Sequence, residues 1–274
     1  MTTVSPMKSD SSNSHDRASA KRKRKRIQPL RALRAMRALI ADKEDTAQVF
    51  VIIDALAGNA NDRQFARFAA SPTGQRILSE KRDLVKTLSD TAWLSSLPEG
   101  SLGRAYYDFM AEENLTADGL IEASEVVRRK DDDRTPEEYL FGCRNRDQHD
   151  LWHVTTGYGR DGLGELALLS FTYAQTRNRG IGFIVMMGTR STKRSLPQVN
   201  VRRVVREAYR NGKKAQWLPG ADWEALLPKP LSEVRALLGI EEPVAYREVE
   251  PLSLEAEAAF KAERARQMQS MQAA

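Results

Sequence analysis

The sequence predicts an all-α protein: one bundle-like helical domain preceded by a disordered basic arm. Apolar residues recur at helical spacing in successive segments, and strand-like alternation is not sustained over several segments. Helix-start and helix-stop signals mark the segment ends, as at Ser71-Pro72, at Thr135-Pro136 and at Gly239. With 41% apolar and 29% charged residues, the composition is that of an ordinary globular protein.

Charge and composition divide the 274 residues into three parts: a disordered basic arm (1–27), a helical domain (28–250) and a helical or frayed tail (251–274). Positions 1–20 are mostly polar and have too few large apolar side chains to form a core. The net charge of +6 is concentrated at the start, because residues 1–41 hold eleven Lys and Arg against two Asp. The remainder is slightly acidic, so we expect no nucleic-acid partner, although the basic arm alone has the charge to bind one.

The first half of the chain contains several short helical patterns. An apolar segment stopped by Gly58 predicts an early helix, and Ser71 before Pro72 is a helix cap with proline at the first helical position. A turn-rich loop at 97–103 separates these helices from one with an aromatic face. The helices predicted here cover residues 30–40, 46–56, 72–78, 104–110 and 120–127.

A charged linker at 131–134 leads to the second half, where Thr135 and Glu138 form a capping box. This cap opens a helix that we expect to continue to about Thr156. The glycine-punctuated apolar run at 180–188 suits a core segment or the wall of a lipid-accepting groove. The other helices predicted in this half cover residues 163–179, 199–210 and 232–238.

The candidate site lies at the end of the long helix. The chain has three histidines, and two of them, His149 and His153, are four residues apart with Asp150 beside the first. At about 100° per residue, these three side chains project into one arc of the helix. Glu165 follows a glycine-rich break at 157–162 and opens the next helical pattern, so a tight turn could return it to this arc.

Two imidazoles and two carboxylates would neutralise a divalent cation and leave coordination positions open, a ligand set that suits zinc, iron, manganese or cobalt. Magnesium is a further candidate. The simpler interpretation is a polar helix face in which His149 and Asp150 form a salt-bridge pair. The apolar neighbours Leu151, Trp152 and Val154 favour a half-buried site, where charged groups need partners.

The basic arm has several interpretations. Lys21 to Arg26 is an unbroken cationic run. Behind it, an apolar series (Leu30, Leu33, Met36, Leu39, Ile40) is interleaved with Arg31, Arg34 and Arg37. This pattern is typical of a helix that binds an anionic membrane surface, although a solvated tail with a first core helix, or an organellar presequence, has the same composition.

The single cysteine, Cys143, excludes an intrachain disulfide and fits a reducing compartment. No apolar run approaches the roughly 18 residues that span a bilayer. No apolar segment follows the N-terminal charges, so a secretory signal is not expected. These features predict a cytoplasmic or peripheral membrane protein.

Several motifs together carry a resemblance to a known family. His149-Asp150-x-x-His153 followed by eleven residues and Glu165 resembles the signature of the fourth coenzyme Q (ubiquinone) biosynthesis protein family. The similarity covers about residues 45–243, whereas the basic arm and the tail after 251 depart from the family pattern. The other similar segments are Ser71-Pro72-x-Gly74, Leu97 to Tyr106, Thr156 to Gly159, Trp223-Glu224 and Pro230 to Ile240.

The resemblance implies an all-helical, membrane-associated protein, often a homodimer, with a divalent metal, usually zinc, on His149, Asp150, His153 and Glu165. It implies a carboxy-lyase that removes the carboxylate at ring carbon 1 of a polyprenylated hydroxybenzoate by oxidative decarboxylation. It also implies partners: the polyprenylated aromatic ubiquinone precursor and the other ring-modifying enzymes, which it would help to organise. The implied location is the cytoplasmic face of a bacterial inner membrane or the matrix side of the mitochondrial inner membrane.

Two alternatives stay open at this point. The chain could be a prenyl-lipid-binding scaffold with a structural metal, because zinc alone has no redox chemistry. It could also be a metal-dependent hydrolase, since HDxxH is similar to the HExxH of zinc peptidases. In that case Asp150 replaces the longer glutamate base. A phosphohydrolase of the HD type needs a further histidine, and only His15 remains for it.

Overall fold

The computed structural model describes residues 26–41, 45–112 and 134–272. Within these ranges the chain forms sixteen α-helices, one 3-10 turn and no strand, which confirms the all-α fold. The helices are α1 Pro29–Ala41, α2 Thr46–Ala57, α3 Ala60–Ala70, α4 Pro72–Ser79, α5 Leu84–Leu88, α6 Thr91–Ser96, α7 Leu102–Glu112, α8 Pro136–Asp147, α9 His149–Thr156, α10 Gly162–Thr176, α11 Arg179–Ser195, α12 Val201–Lys214, α13 Trp223–Leu226, α14 Leu231–Leu238, α15 Val244–Arg247 and α16 Glu250–Gln272.

The main core forms around α10, which packs along α12 and against α11. Buried side chains lie on nearly every face of α10, Leu168 and Phe171 among them. Gly212 lets α12 approach closely, since a Cβ there would lie 2.6 Å from the carbonyl oxygen of Phe171. The Ser170 hydroxyl donates to the Val205 carbonyl at 2.9 Å. The helix that carries Glu165 is therefore a rigid central element.

Gly212 also explains a difference from the sequence prediction. We expected α12 to end at Asn211-Gly212, but the helix continues to Lys214. A glycine inside a helix costs stability, and here packing against α10 offsets that cost. The predicted helix 163–179 instead ends earlier, at Thr176, because Arg177 adopts a left-handed conformation with φ of 53°.

The apolar run at 180–188 lies within α11 and contributes to the core. Gly180 meets the backbone of α2, where a Cβ would lie 2.6 Å from the Ile52 oxygen. Ile181, Ile184 and Val185 are buried. The packing agrees with the core interpretation of this run.

The apolar residues of α1 are distributed between its buried and exposed faces differently from the prediction. Ala32, Ala35 and Met36 are buried against α2 and α11. We expected Leu30, Leu33 and Ile40 to share the stripe of Met36, but all three are exposed. Small alanines allow close helix packing, so they occupy the inner face and the larger side chains lie outside. Residues 29–41 thus pack against the body as α1.

The predicted helix from Thr135 to Thr156 divides at Gln148 into α8 and α9. The cap is as predicted, with the reciprocal hydrogen bonds between Thr135 and Glu138. At the break, the Gln148 side chain accepts a hydrogen bond from Trp223 Nε1 at 2.6 Å. This long-range contact with α13 orients the break, and no local sequence signal announces it.

Other predicted features are confirmed or lie outside the described residues. The early helix, the Ser71 cap of α4 and the Gly239 end of α14 are present. The tail is helical to residue 272. The disorder predicted for the arm up to residue 25, the helix at 120–127 and the linker at 131–133 lie outside the described residues.

Arg144 provides a test of how the site-bearing helices are held. It is 1% exposed and donates to both carboxylate oxygens of Glu224 at 2.7 and 2.6 Å, which ties α8 to α13. Arg144→Ala would leave a poorly solvated carboxylate unpaired, so we expect the free energy of unfolding to fall by about 3 kcal/mol. Urea denaturation would measure the loss.

The matched control is Arg203→Ala, which removes an exposed pair with Glu248. Exposed pairs contribute at most about 1 kcal/mol, so this variant should unfold close to wild type. Equal losses for the two variants would contradict the stabilising role of the Arg144 pair.

Candidate functional site

The predicted site residues are positioned by the turn between α9 and α10. Gly157 ends α9 in a left-handed conformation with φ of 78°, which suits glycine. Asp161 caps α10, where its side chain accepts hydrogen bonds from the amides of Leu163 and Gly164. The turn brings the end of one helix back over the start of the next, as the sequence predicted for Glu165.

Three of the four predicted residues converge. Ligand atoms of His149, His153 and Glu165 all lie within 4.8 Å of one another. His153 Nε2 is 3.4 Å from Glu165 Oε1, and His149 Nε2 is 3.9 Å from Glu165 Oε2. His153 is buried, whereas about a third of the His149 and Glu165 side chains is exposed. The cluster is therefore open on one side.

Asp150 does not belong to this three-residue cluster. Its carboxylate instead accepts a hydrogen bond from His149 Nδ1 at 3.2 Å. In this structure Asp150 contacts the cluster through His149, and its role as a metal ligand stays a prediction. We expected Asp150 in the same arc, and it is close, but its side chain contacts the outer nitrogen of His149.

Both imidazoles present the same nitrogen to the centre of the cluster. His153 Nδ1 donates to the backbone carbonyl of Tyr158 at 2.9 Å, and His149 Nδ1 donates to Asp150. These bonds place the ring proton on Nδ1 and leave Nε2 with its lone pair. His153 Nε2 is buried, and it has no hydrogen-bond partner among the described residues. Histidine ligands of metals show this arrangement, with the outer nitrogen bonded to a carboxylate or carbonyl.

The electrostatics of the cluster favour a positive charge at its centre. Burial opposes the charged form of His149, but the hydrogen bond to Asp150 and the charge of Glu165 raise its pKa. Burial favours the neutral acid of Glu165, but the electrostatic interaction with His153, followed by those with His149 and Arg160, lowers its pKa. The pKa of Asp150 is also lowered, against burial, by its bond to His149. The carboxylates stay ionised, and a proton or a cation balances them.

Aromatic side chains of α7 lie on one side of the cluster. The Phe109 ring stacks on His153 at a centroid distance of 5.9 Å, which places α7 against the site. Tyr106, one turn earlier, is buried, and burial together with the charge of Asp150 raises the pKa of its hydroxyl. The sequence predicted the aromatic face of α7 but not its position against the histidines, because that packing is a long-range contact.

Arg160 is a neighbour of the site that the sequence analysis did not single out. Its Nε is 3.7 Å from Glu165 Oε1, and it is the charged residue within the glycine-rich turn next to Asp161. A cation inside a turn bounded by candidate ligands is a signal that could have identified it. The Tyr158 carbonyl that orients His153 has no such signal, since any residue carries a carbonyl.

No helix among the described residues combines the length and the apolar character that crossing a membrane requires.

The buried core packs against the inner side of the site, and the C-terminal region holds the turn between α9 and α10 in place. The Tyr246 and Ser253 hydroxyls both donate to the Asp161 carboxylate, which links α15 and α16 to the turn.

Comparisons with known proteins agree with the resemblance. The family model described as coenzyme Q (ubiquinone) biosynthesis protein Coq4 matches residues 25–244. The ubiquinone biosynthesis protein coq-4, mitochondrial, of Neurospora crassa is 31% identical over 179 residues, covering 65% of this chain and 49% of that protein. Its counterpart in Sclerotinia sclerotiorum is 33% identical over 200 residues, covering 70% and 66%. The chain thus spans between half and two thirds of the length of these relatives.

A solved structure shows the same fold. The crystal structure of a protein from Nostoc punctiforme, described as a candidate ubiquinone biosynthesis protein, superposes with a TM-score of 0.58 at 22% identity. The match covers 79% of this chain and all of that one. The family model extends over most of the chain and includes every residue of the histidine–glutamate cluster. This chain belongs to the coenzyme Q (ubiquinone) biosynthesis protein Coq4 family.

Proposed function

We propose that the protein acts in ubiquinone biosynthesis as a metal-dependent carboxy-lyase. Its substrate would be a polyprenylated hydroxybenzoate, in which a hydroxyl group replaces the carboxylate at ring carbon 1 by oxidative decarboxylation. Dioxygen would be the oxidant, so that the acid, dioxygen and water give the phenol, carbon dioxide and hydrogen peroxide. The observation that carries the proposal is the convergence of two imidazole Nε2 atoms and the Glu165 carboxylate, with both outer ring nitrogens already hydrogen-bonded. Family membership supplies the pathway.

The cluster has the donors that a divalent cation needs. Two neutral imidazoles and one carboxylate are the protein ligands of many catalytic zinc sites, and they leave positions open. The same set suits non-haem iron(II), which would supply the redox chemistry that zinc lacks. The unpaired, buried His153 Nε2 supports the fit, because such an atom costs free energy unless it has a partner. Manganese, cobalt and magnesium remain candidates on the same donors.

A bound cation would act as a Lewis acid on the ring carboxylate or phenolate. The protein residues have separate tasks. His149, His153 and Glu165 would hold the cation, and Asp150 would fix the ring orientation of His149. The Phe109 ring would exclude water from one side of His153. A partly exposed Glu165 leaves access for the substrate.

A scaffold role is the second candidate. The C-terminal helix α16 extends from the body with large apolar side chains exposed, including Leu254 and Met268, each more than half exposed. Such a face suits contact with another protein, either a second copy of this chain or a ring-modifying enzyme. In this role the cation would stabilise the fold and other proteins would carry out the chemistry.

Metal content should distinguish the proposed ligands from the residue that orients one of them. His149→Ala and His153→Ala should each abolish stoichiometric metal in protein dialysed against metal-free buffer and measured by elemental analysis. Asp150→Asn should retain metal with an affinity lowered about 10- to 100-fold, as expected for an orienting residue rather than a ligand. Because the pKa of His149 is raised, protons should compete and metal affinity should fall as the pH is lowered.

The control is Asp108→Asn, an exposed carboxylate on α7. It should bind metal like wild type. Full metal in both histidine variants would disprove the site, and complete loss in Asp150→Asn would assign that residue as a ligand.

Glu165→Gln separates the catalytic from the scaffold role. Glutamine is nearly isosteric and its carbonyl ligates weakly, so the fold should survive while metal retention and ubiquinone synthesis fall. Cells that depend on this variant should accumulate a prenylated ring that still carries its carboxylate, if the protein is the catalyst. Lipid extraction and mass spectrometry would identify the compound.

Accumulation of several intermediates, or of the earliest one alone, would instead favour the scaffold role. Glu248→Gln, which removes an exposed pair with Arg203, is the matched control and should support normal synthesis. Normal ubiquinone from a metal-free Glu165→Gln protein would contradict both roles.

We also propose that the outer face of α1 binds an anionic membrane surface. Leu30 and Ile40 are 71% and 59% exposed, and they share this face with Leu33. Arg34 and Arg37 lie on the same side by helical spacing and are exposed. Apolar side chains flanked by arginines suit the boundary between headgroups and acyl chains, where each cation contributes about 1 kcal/mol.

Leu30→Glu with Ile40→Glu should weaken co-sedimentation with anionic vesicles by about tenfold or more, because it removes buried apolar area and adds like charge. Leu237→Glu with Val244→Glu is the matched control, since both side chains are about half exposed on other helices. Wild-type binding should decrease at high salt. Equal binding by the two double variants would place the membrane contact elsewhere.

A further inference from the structure

Arg160 has an unusual environment for a cation. It lies in the turn between α9 and α10, and its Nε is buried without a hydrogen-bond partner among the described residues. The side chain is 29% exposed, so it is not cut off from the open side of the site. Its ion-pair partner is Glu165, whose Oε1 lies 3.7 Å from the Arg160 Nε, a distance too long for a hydrogen bond.

Glu165 cannot satisfy this guanidinium while it serves the cluster. Its Oε1 is also 3.4 Å from His153 Nε2, and its Oε2 faces His149 Nε2. If Glu165 holds a cation, the negative charge of Glu165 already balances that cation. Arg160 would then be a second positive group beside the first, which raises the free energy of the loaded site unless an anion joins them.

The formal charges around the metal position determine which ligand charge would neutralise the loaded site. Asp150 and Glu165 contribute two negative charges, Arg160 contributes one positive charge, and the two histidines are neutral in the metal-binding form. A divalent cation therefore leaves the site with a charge of +1. This balance covers the charged groups that contact the cluster, and two neighbouring carboxylates lie outside it. Asp147 pairs with Arg146 at 2.7 Å. The Asp161 carboxylate is stabilised by four hydrogen bonds from two hydroxyls and two amides. A monoanionic ligand would bring the site to neutrality.

We infer that Arg160 is the carboxylate-recognition residue of this site: its guanidinium binds the carboxylate of the aromatic substrate beside the metal. The inference deepens the proposed function and rests on it for the identity of the substrate. Guanidinium and carboxylate match in planar, two-pronged geometry, which a lysine ammonium does not. The pair fixes which end of the aromatic ring enters the site, and the prenyl chain lies away from it.

The test compares two ligands and four proteins, one of which is a surface control. The ligands are 4-hydroxybenzoate carrying a short prenyl group and the corresponding carboxamide, which has the same shape without the charge. Calorimetry with metal-loaded wild type should show a preference for the acid. Arg160→Gln should lower affinity for the acid about 10- to 100-fold and change affinity for the carboxamide less than about twofold. Arg160→Lys should keep part of the preference, as a point charge.

Metal content provides a readout that does not depend on activity. Arg160→Gln removes a repelling cation, so it should hold at least as much metal per chain as wild type. Loss of metal in this variant would overturn the inference, since Arg160 would then be supporting Glu165. Equal loss of affinity for both ligands, or none for the acid, would overturn it too. Arg203→Gln, an arginine beside Glu248 on the surface, is the control and should bind both ligands like wild type.

A second measurement separates this inference from the decarboxylase proposal. Release of labelled carbon dioxide from the carboxyl-labelled acid reports on the reaction itself. Selective binding of the acid without carbon dioxide release would support Arg160 and contradict the carboxy-lyase. Carbon dioxide release with an unchanged KM in Arg160→Gln would support the carboxy-lyase and contradict the role of Arg160.

Discussion

The hydrogen bond from His153 Nδ1 to the Tyr158 carbonyl is the interaction on which the site depends. It joins the last turn of α9 to the loop that follows, so the imidazole orientation and the loop path are set together. Gly164 approaches the Gly159 carbonyl so closely that a Cβ would lie 2.2 Å from its oxygen. A larger residue there would push α10, and with it Glu165, away from the histidines.

The same loop is held from outside by the C-terminal helices. Asp161 is buried and receives hydrogen bonds from Tyr246, from Ser253 and from two amides of α10. A buried carboxylate is costly unless its lone pairs are satisfied, and here four donors satisfy it. Tyr246 and Ser253 lie beyond residue 244, where the family match ends. Residues beyond the family match therefore take part in holding the site in place.

Charge distribution divides the site into two parts with different tasks. The carboxylates of Asp150 and Glu165 remain ionised in a largely buried position, which favours a cation between the histidines. Arg160 adds a positive group at the edge of this arrangement. Burying these charges lowers the free energy of unfolding when no ligand is bound, and ligand binding would raise it. In the proposed function, activity and stability would both depend on these few residues.

The sequence alone determined what depends on local structure. The helical periods, the caps at Ser71 and Thr135, and the candidate ligands His149, His153 and Glu165 follow from contacts within a few turns. The tertiary structure decided what depends on distant residues. Trp223 fixes the break at Gln148, and packing against α10 lets α12 continue beyond Gly212. The outer position of Asp150 follows from the final path of α9 and its turn. Helical spacing places Asp150 in the right arc, but only the packed chain decides which atom each carboxylate meets.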